Sequence, residues 1–228
     1  MLAVAGLCFA GDLAIWHWSL RLTSVANSTL LTNCAPFFVA PGAWVFFRER
    51  IRPVFLVGMA PAAGGAALVI GAKFEARHFA GDMLGLTTAV FYAGYQMAVK
   101  QLRRSLSTAS IMAWSGLVSC PVLLLIAVCS SEPLLDSHLS GWLTLVALAL
   151  VSHLGGQTMI AYAFGHLPVA FASLGLLLQP VIAALLAWAV LNEAVTWPQA
   201  AGGLIVLAGL ALARRGNEET KEKNGGME

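Results

Sequence analysis

Charge is what this chain has least of. Lys, Arg, Asp and Glu make up 11% of its 228 residues, whereas a soluble domain uses roughly a quarter to cover its surface. That shortage excludes an ordinary cytosolic enzyme, a nucleic-acid-binding module and a disordered chain. Cysteine is scarce as well. Cys8, Cys34, Cys120 and Cys129 lie in or beside apolar runs, with no CxxC pair and no Cys/His cluster. They read as small buried hydrophobes rather than metal ligands, and no cofactor is indicated. No GxxxxGK[ST], HExxH or GxSxG occurs, so neither ATP hydrolysis nor an intramembrane hydrolase is supported. Residues 1–20 lack a basic leader, and Asp12, Trp16, His17 and Trp18 interrupt their apolar run, which argues against a signal peptide.

What the chain has instead is apolar length. Hydrophobic residues are 59% of it and the mean hydropathy is +0.80. A bilayer-crossing helix takes about 20 mostly apolar residues. Apolar runs between polar breaks give eight such helices, over 2–20, 25–47, 54–72, 82–100, 108–129, 141–164, 168–191 and 198–214. The runs are too long and too uniformly apolar for barrel strands, which alternate. The fold class is therefore an all-α polytopic membrane protein, with the lipid bilayer as its solvent. The polar, Gly-containing residues 215–228 read as a disordered cytoplasmic tail.

Lys and Arg are distributed unevenly between the two ends of these helices. One side carries Arg48, Arg50, Arg52, Lys100, Arg103, Arg104, Arg214, Arg215, Lys221 and Lys223, and the other carries Arg21, Lys73 and Arg77. The bias places both termini in the cytoplasm and agrees with an even number of spans.

The strongest pattern is internal. Shifted by 144 residues, Ser24–Leu68 lies on Pro168–Leu212 without a gap. The register matches Val25 with Val169, Pro36 with Pro180, Trp44 with Trp188, Glu49 with Glu193, Gly58 with Gly202 and Gly65 with Gly209. Ala and Leu matches are cheap in a greasy chain, but Pro, Trp, Glu and two Gly in one register are not. Matched helices are five spans apart, and five is odd, so the two copies point in opposite directions across the bilayer. Inverted repeats of this kind mark secondary transporters. Residues 1–72 form a partial first repeat of three helices, and 82–214 a second repeat of five. The two helices that open the second repeat have no partners in the first.

Several stretches resemble the EamA family of the drug/metabolite transporter superfamily. Gly11–Leu20 resembles the family's third helix. Thr23–Leu31, Ala35-Pro36-Phe37 and Arg48-Glu49-Arg50 resemble its fourth helix and terminal glutamate motif, and Leu178-Gln179-Pro180 through Asn192-Glu193 its ninth. The resemblance implies ten helices in two inverted five-helix repeats around a central cavity. It also implies a small-molecule substrate (a metabolite, amino acid or drug, often moved outward) and a bacterial inner-membrane location. By that pattern the first two helices are absent here, so the alternative is a shortened protein that does not transport or that works only in an assembly such as a homodimer.

Particular polar residues then become candidates, because an ionisable or polar side chain at membrane depth faces protein or a cavity. Asp12 and Trp16 share a face of the first helix, with His17 about 140° around the wheel from Asp12. Tyr92 and Gln96 lie on a four-residue stripe with Tyr95 beside them. His153 and Gln157 are four apart in the sixth helix, and Asn33 and Gln179 lie within the matched helices. All ten are expected to line a substrate cavity. Pro36 and Pro180, near the centres of matched helices, are expected to kink them and free the carbonyls of Thr32 and Leu176. Glu49 and Glu193 are expected to serve as structural caps or hinge contacts, and Lys100 to snorkel to the interface.

Overall fold

The structure is a computed structural model that describes residues 1–49, 51–71, 78–130, 138–192 and 194–225. Among these residues every regular element is helical: α1 (Leu2–Leu22), α2 (Val25–Thr32), α3 (Ala35–Phe47), α4 (Pro53–Ile70), α5 (Phe79–Leu102), α6 (Thr108–Cys129), α7 (Leu139–Ala147), α8 (Thr158–His166), α9 (Val169–Gly175), α10 (Gln179–Leu191) and α11 (Trp197–Gly225). A π-helical segment, Leu148–Gln157, joins α7 to α8, and a 3-10 turn, Leu176–Leu178, joins α9 to α10. Taken as rods, these are the eight helices that hydropathy predicts. Six of the rods are long and apolar enough to cross a membrane.

The helices pack through small residues, as expected where lipid supplies no hydrophobic drive between them. Along α1 and α5, Gly81 lies against Leu22 and Thr23, and Gly94 against Cys8. The two helices are therefore antiparallel. The tightest seam is between α4 and α11. A Cβ on Gly58 would sit 2.6 Å from the Gly209 carbonyl oxygen, and one on Gly65 2.6 Å from that of Gly202. Under the 144-residue register Gly58 corresponds to Gly202 and Gly65 to Gly209. Each glycine thus touches the counterpart of the other, which is the reciprocal contact made by a two-fold axis. The axis lies across these antiparallel helices, so the two copies are inverted in three dimensions as well as in sequence. A second signature agrees. Arg48 and Asn192, also 144 residues apart, end α3 and α10 in the same left-handed backbone conformation, at φ 55° and 54°.

The expected proline kinks take a different form. Pro36 and Pro180 each sit in the first turn of a restarted helix, α3 and α10, where the missing N–H leaves no bond unmade. In the first copy the chain tightens to make the break: Cys34 N–H bonds the Leu31 carbonyl at 3.0 Å, and Cys34 Sγ reaches the Leu30 carbonyl at 3.6 Å. The second copy makes its break with the 3-10 turn. The expected disordered tail also differs, since α11 stays helical to Gly225; its Glu and Lys residues are good helix formers. Glu193 lies outside the described residues.

The α4–α11 seam yields a paired prediction. Gly65→Ala places a methyl group against backbone and is expected to cost about 1–3 kcal/mol. Gly64→Ala meets nothing within 4 Å and is expected to leave stability unchanged or raise it by up to ~1 kcal/mol through helix propensity. Unfolding midpoints in detergent distinguish the two; equal losses would contradict the seam.

Candidate functional site

The two helix breaks meet across one face of α5. Between them is a small cavity of about 10 Å³, enough for a single water or a small polar group, walled by Thr32, Asn33 and Pro36 from the first break, Leu176 and Leu177 from the second, and Tyr92, Gln96 and Ser173. Thr32 and Leu176 are equivalent in the repeat, as are Asn33 and Leu177. The cavity therefore lies where both copies depart from regular helix, which is where a membrane protein tolerates irregular backbone.

Gln96 is its most telling member. It is fully buried, yet neither its Nε2 nor its Oε1 has a hydrogen-bond partner. Ser173 Oγ, also fully buried, has none either. Leaving such a group unpaired costs about 1–3 kcal/mol each, so these atoms call for a polar partner inside the cavity. A carboxamide donates through nitrogen and accepts through oxygen, and a serine hydroxyl does both. No wall residue carries a formal charge. The site is thus built to hydrogen-bond a polar group without supplying net charge.

Aromatic rings extend from the cavity toward α1. Tyr92 and Tyr95 stack at 6.3 Å between centroids, Phe9 packs on Tyr95 at 5.0 Å, and the His153 ring lies 5.3 Å from Phe9. Tyr95 points away from the cavity, its hydroxyl 3.8 Å from Met112 Sδ. Asp12 is buried within electrostatic reach of Cys8, Tyr92 and Tyr95. Its carboxylate makes no hydrogen bond or ion pair among the described residues.

Of the residues expected to line a cavity, the structure gathers Asn33, Tyr92 and Gln96, with Asp12 and Tyr95 behind them. Trp16 is half-buried on α1. His17 and Gln179 are exposed: His17 lies on the far side of the α1 wheel, and Gln179 begins α10 just after the 3-10 turn. His153 is also exposed, while Gln157 is half-buried with Oε1 unpartnered. Pro36 lines the cavity and Pro180 does not. Glu49 is half-buried and reaches α9, its Oε1 accepting from the Val169 N–H at 3.1 Å. Lys100 does not snorkel; its Nζ donates to the Leu167 carbonyl at 2.7 Å. Sequence reasoning missed Ser173 and Phe9. Ser173 left a trace, because its counterpart in the first copy, Thr29, also bears a hydroxyl; Phe9 left none. No group of three His, Cys, Asp or Glu side chains converges among the described residues, so none of them offers a metal site.

Comparison with known proteins agrees with this architecture. A solved crystal structure superposes with a TM-score of 0.78 at 21% identity, covering 93% of this chain and 73% of its own; at that identity it speaks for the fold. The pseudopaline exporter CntI of Pseudomonas aeruginosa strain UCBPP-PA14 is 27% identical over 94% of this chain and 75% of its own length. A probable terminal-alkyne amino-acid exporter of Streptantibioticus cattleyicolor is 29% identical over 94% and 73%, and a probable amino-acid metabolite efflux pump of Salmonella typhimurium 28% over 81% and 65%. The model of the EamA-like transporter family matches residues 1–71 and 79–215. With an inverted repeat, paired helix breaks and a match over nearly its whole length, this multi-pass membrane chain belongs to the EamA-like transporter family.

Proposed function

We propose that this transporter exports a small polar metabolite, of amino-acid type, by alternating access through the cavity at the helix breaks. The observation that carries the reading is Gln96, a fully buried carboxamide with both polar atoms unpartnered, set between two broken helices. A guest whose polar groups are neutral or zwitterionic satisfies Gln96 and Ser173 without leaving an uncompensated charge in low dielectric. The names of the relatives support both the direction and the amino-acid character of the cargo. The cavity as found is too small for such a cargo, so binding requires the breaks to part, which broken helices allow more readily than continuous ones.

Asp12 supplies the place for coupling. A carboxylate at membrane depth without a cationic partner accepts either a proton or a cationic group of the cargo, and Tyr92, which lines the cavity, is within its electrostatic reach. The ten-to-three bias of Lys and Arg supports cytoplasmic termini. One observation favours a second reading, in which transport needs further protein against α7. His153 is exposed in the middle of the Leu139–His166 rod. Its ring packs on Phe9 on one side, and leaving the rest of a polar ring open to lipid at that depth is costly, so this face suits coverage by another helix, whether of the same polypeptide or of a second subunit.

In proteoliposomes, labelled amino acids are expected to be taken up in response to an imposed pH gradient. Gln96→Leu is expected to abolish that uptake while raising the unfolding midpoint, because it removes an unpaired buried group costing about 1–3 kcal/mol. Uptake and stability falling together would mark Gln96 as structural. Asp12→Asn is expected to retain substrate binding and lose the response to the gradient; an undiminished response removes Asp12 from coupling.

A further inference from the structure

Two sets of hydrogen bonds tie one repeat to the other, at opposite ends of α5. At one end Glu49, in the segment after α3, accepts the Val169 N–H at 3.1 Å through Oε1. Beside it Lys100 of α5 donates to the Leu167 carbonyl of its own repeat at 2.7 Å and lies within electrostatic reach of Glu49 in the other. At the other end Asp82 of α5 accepts from Thr23 Oγ1 at 2.6 Å and from Asn27 Nδ2 at 3.2 Å. Ser19 Oγ adds a bond to the Gly81 carbonyl at 2.8 Å. Asp82 and Lys100 are 18 residues apart on one helix, which separates the two ties by about 27 Å. Tyr92 and Gln96 lie between them.

The two ties are related. Each is a buried or half-buried carboxylate from one repeat holding the first turn of the other repeat's broken helix. Glu49 belongs to the first repeat and holds α9; Asp82 belongs to the second and holds α2. Val25 and Val169, which begin those helices, are equivalent in the 144-residue register. Repeat inversion puts the equivalent helix starts on opposite faces of the bilayer. Parting the repeats at either face must therefore break one tie while the other can persist.

We propose that the Glu49–Val169 contact and the Asp82–Thr23/Asn27 contacts are two latches that close the substrate path from opposite faces, and that this structure, with both made, is the occluded state. The cost of opening either end is set by the same chemistry. A carboxylate loses its donors, and hydration of the opened end offsets that loss. Glu49 Oε2 is already buried without a partner, so water reaching that end gains a waiting acceptor. The inference rests on the transport reading, but its test measures access to the cavity and not transport, so a wrong cargo leaves the readout intact.

The reporter is a cysteine introduced at the cavity wall by Ser173→Cys, in the full-length chain with Cys8, Cys34, Cys120 and Cys129 replaced by Ala. Its modification by a membrane-impermeant maleimide is timed from each face of oriented vesicles. Val169→Pro removes the N–H that Glu49 accepts. The backbone suits it, because Val169 is the first residue of α9 and Pro168 already holds φ −54°, ψ 137°. Modification is expected to rise about tenfold from the Glu49 face, the factor for losing one hydrogen bond to a charged group, and to stay unchanged from the other. Thr23→Val is expected to give the opposite sidedness. If Val169→Pro fails to fold, Glu49→Ala reads the same end by removing the acceptor of the Val169 N–H. Equal increases from both faces, or no increase in either variant, would overturn the proposal.

Discussion

In hydrocarbon, a backbone group that lacks a partner has no water to turn to. That single constraint orders this molecule. It makes every described regular element a helix, and it confines irregular backbone to places where protein can complete it. Two such places, after Thr32 and after Gly175, are brought face to face across α5. One is closed by the short Cys34–Leu31 bond and the Cys34 thiol, the other by a 3-10 turn. The cavity is the space these two departures enclose, so the demand that suppresses loops elsewhere in the membrane is also what locates the site.

Pseudo-symmetry does the rest of the positioning. The glycine seam between α4 and α11 keeps the copies in register at their closest approach, while α5 bridges them, presenting Asp82 at one end, Lys100 at the other and the site residues between. Under the proposed transport reading, a helix that carries both a carboxylate holding one repeat and the polar lining of the cavity would link occupancy of the site to contacts at its margins. That linkage is what a carrier needs if it is not to open at both faces together.

Much of the architecture is legible in the sequence. Bilayer thickness sets helix length, so eight apolar runs became eight rods with ends shifted by a few residues. The repeat register predicted which glycines correspond, and the contact geometry then showed why. Less was legible where the answer depends on neighbours distant in sequence. A proline in an apolar run reads as a kink; whether the helix bends or stops and restarts depends on bonds such as Cys34 N–H to Leu31 that no local pattern encodes. The π-helical segment has no composition of its own. Asp82 looks like an ordinary acid in the first turn of a helix, because Thr23 and Asn27 are more than fifty residues upstream. His17 and Gln179 were drawn into the cavity by polarity alone, and polarity does not say which way a helix face turns.

The reciprocal glycine contact also bears on how such a protein can change over generations. Gly58 faces Gly209 and Gly65 faces Gly202, so each position is a neighbour of its own duplicate's surroundings. A bulkier residue in either half collides with the other half's main chain, where no side-chain repacking can absorb it. The two halves are free to drift apart almost everywhere else, as Arg48 and Asn192 have done while sharing one backbone geometry. Along this line they remain bound to a common history, each half policing the mutations the other is able to accept.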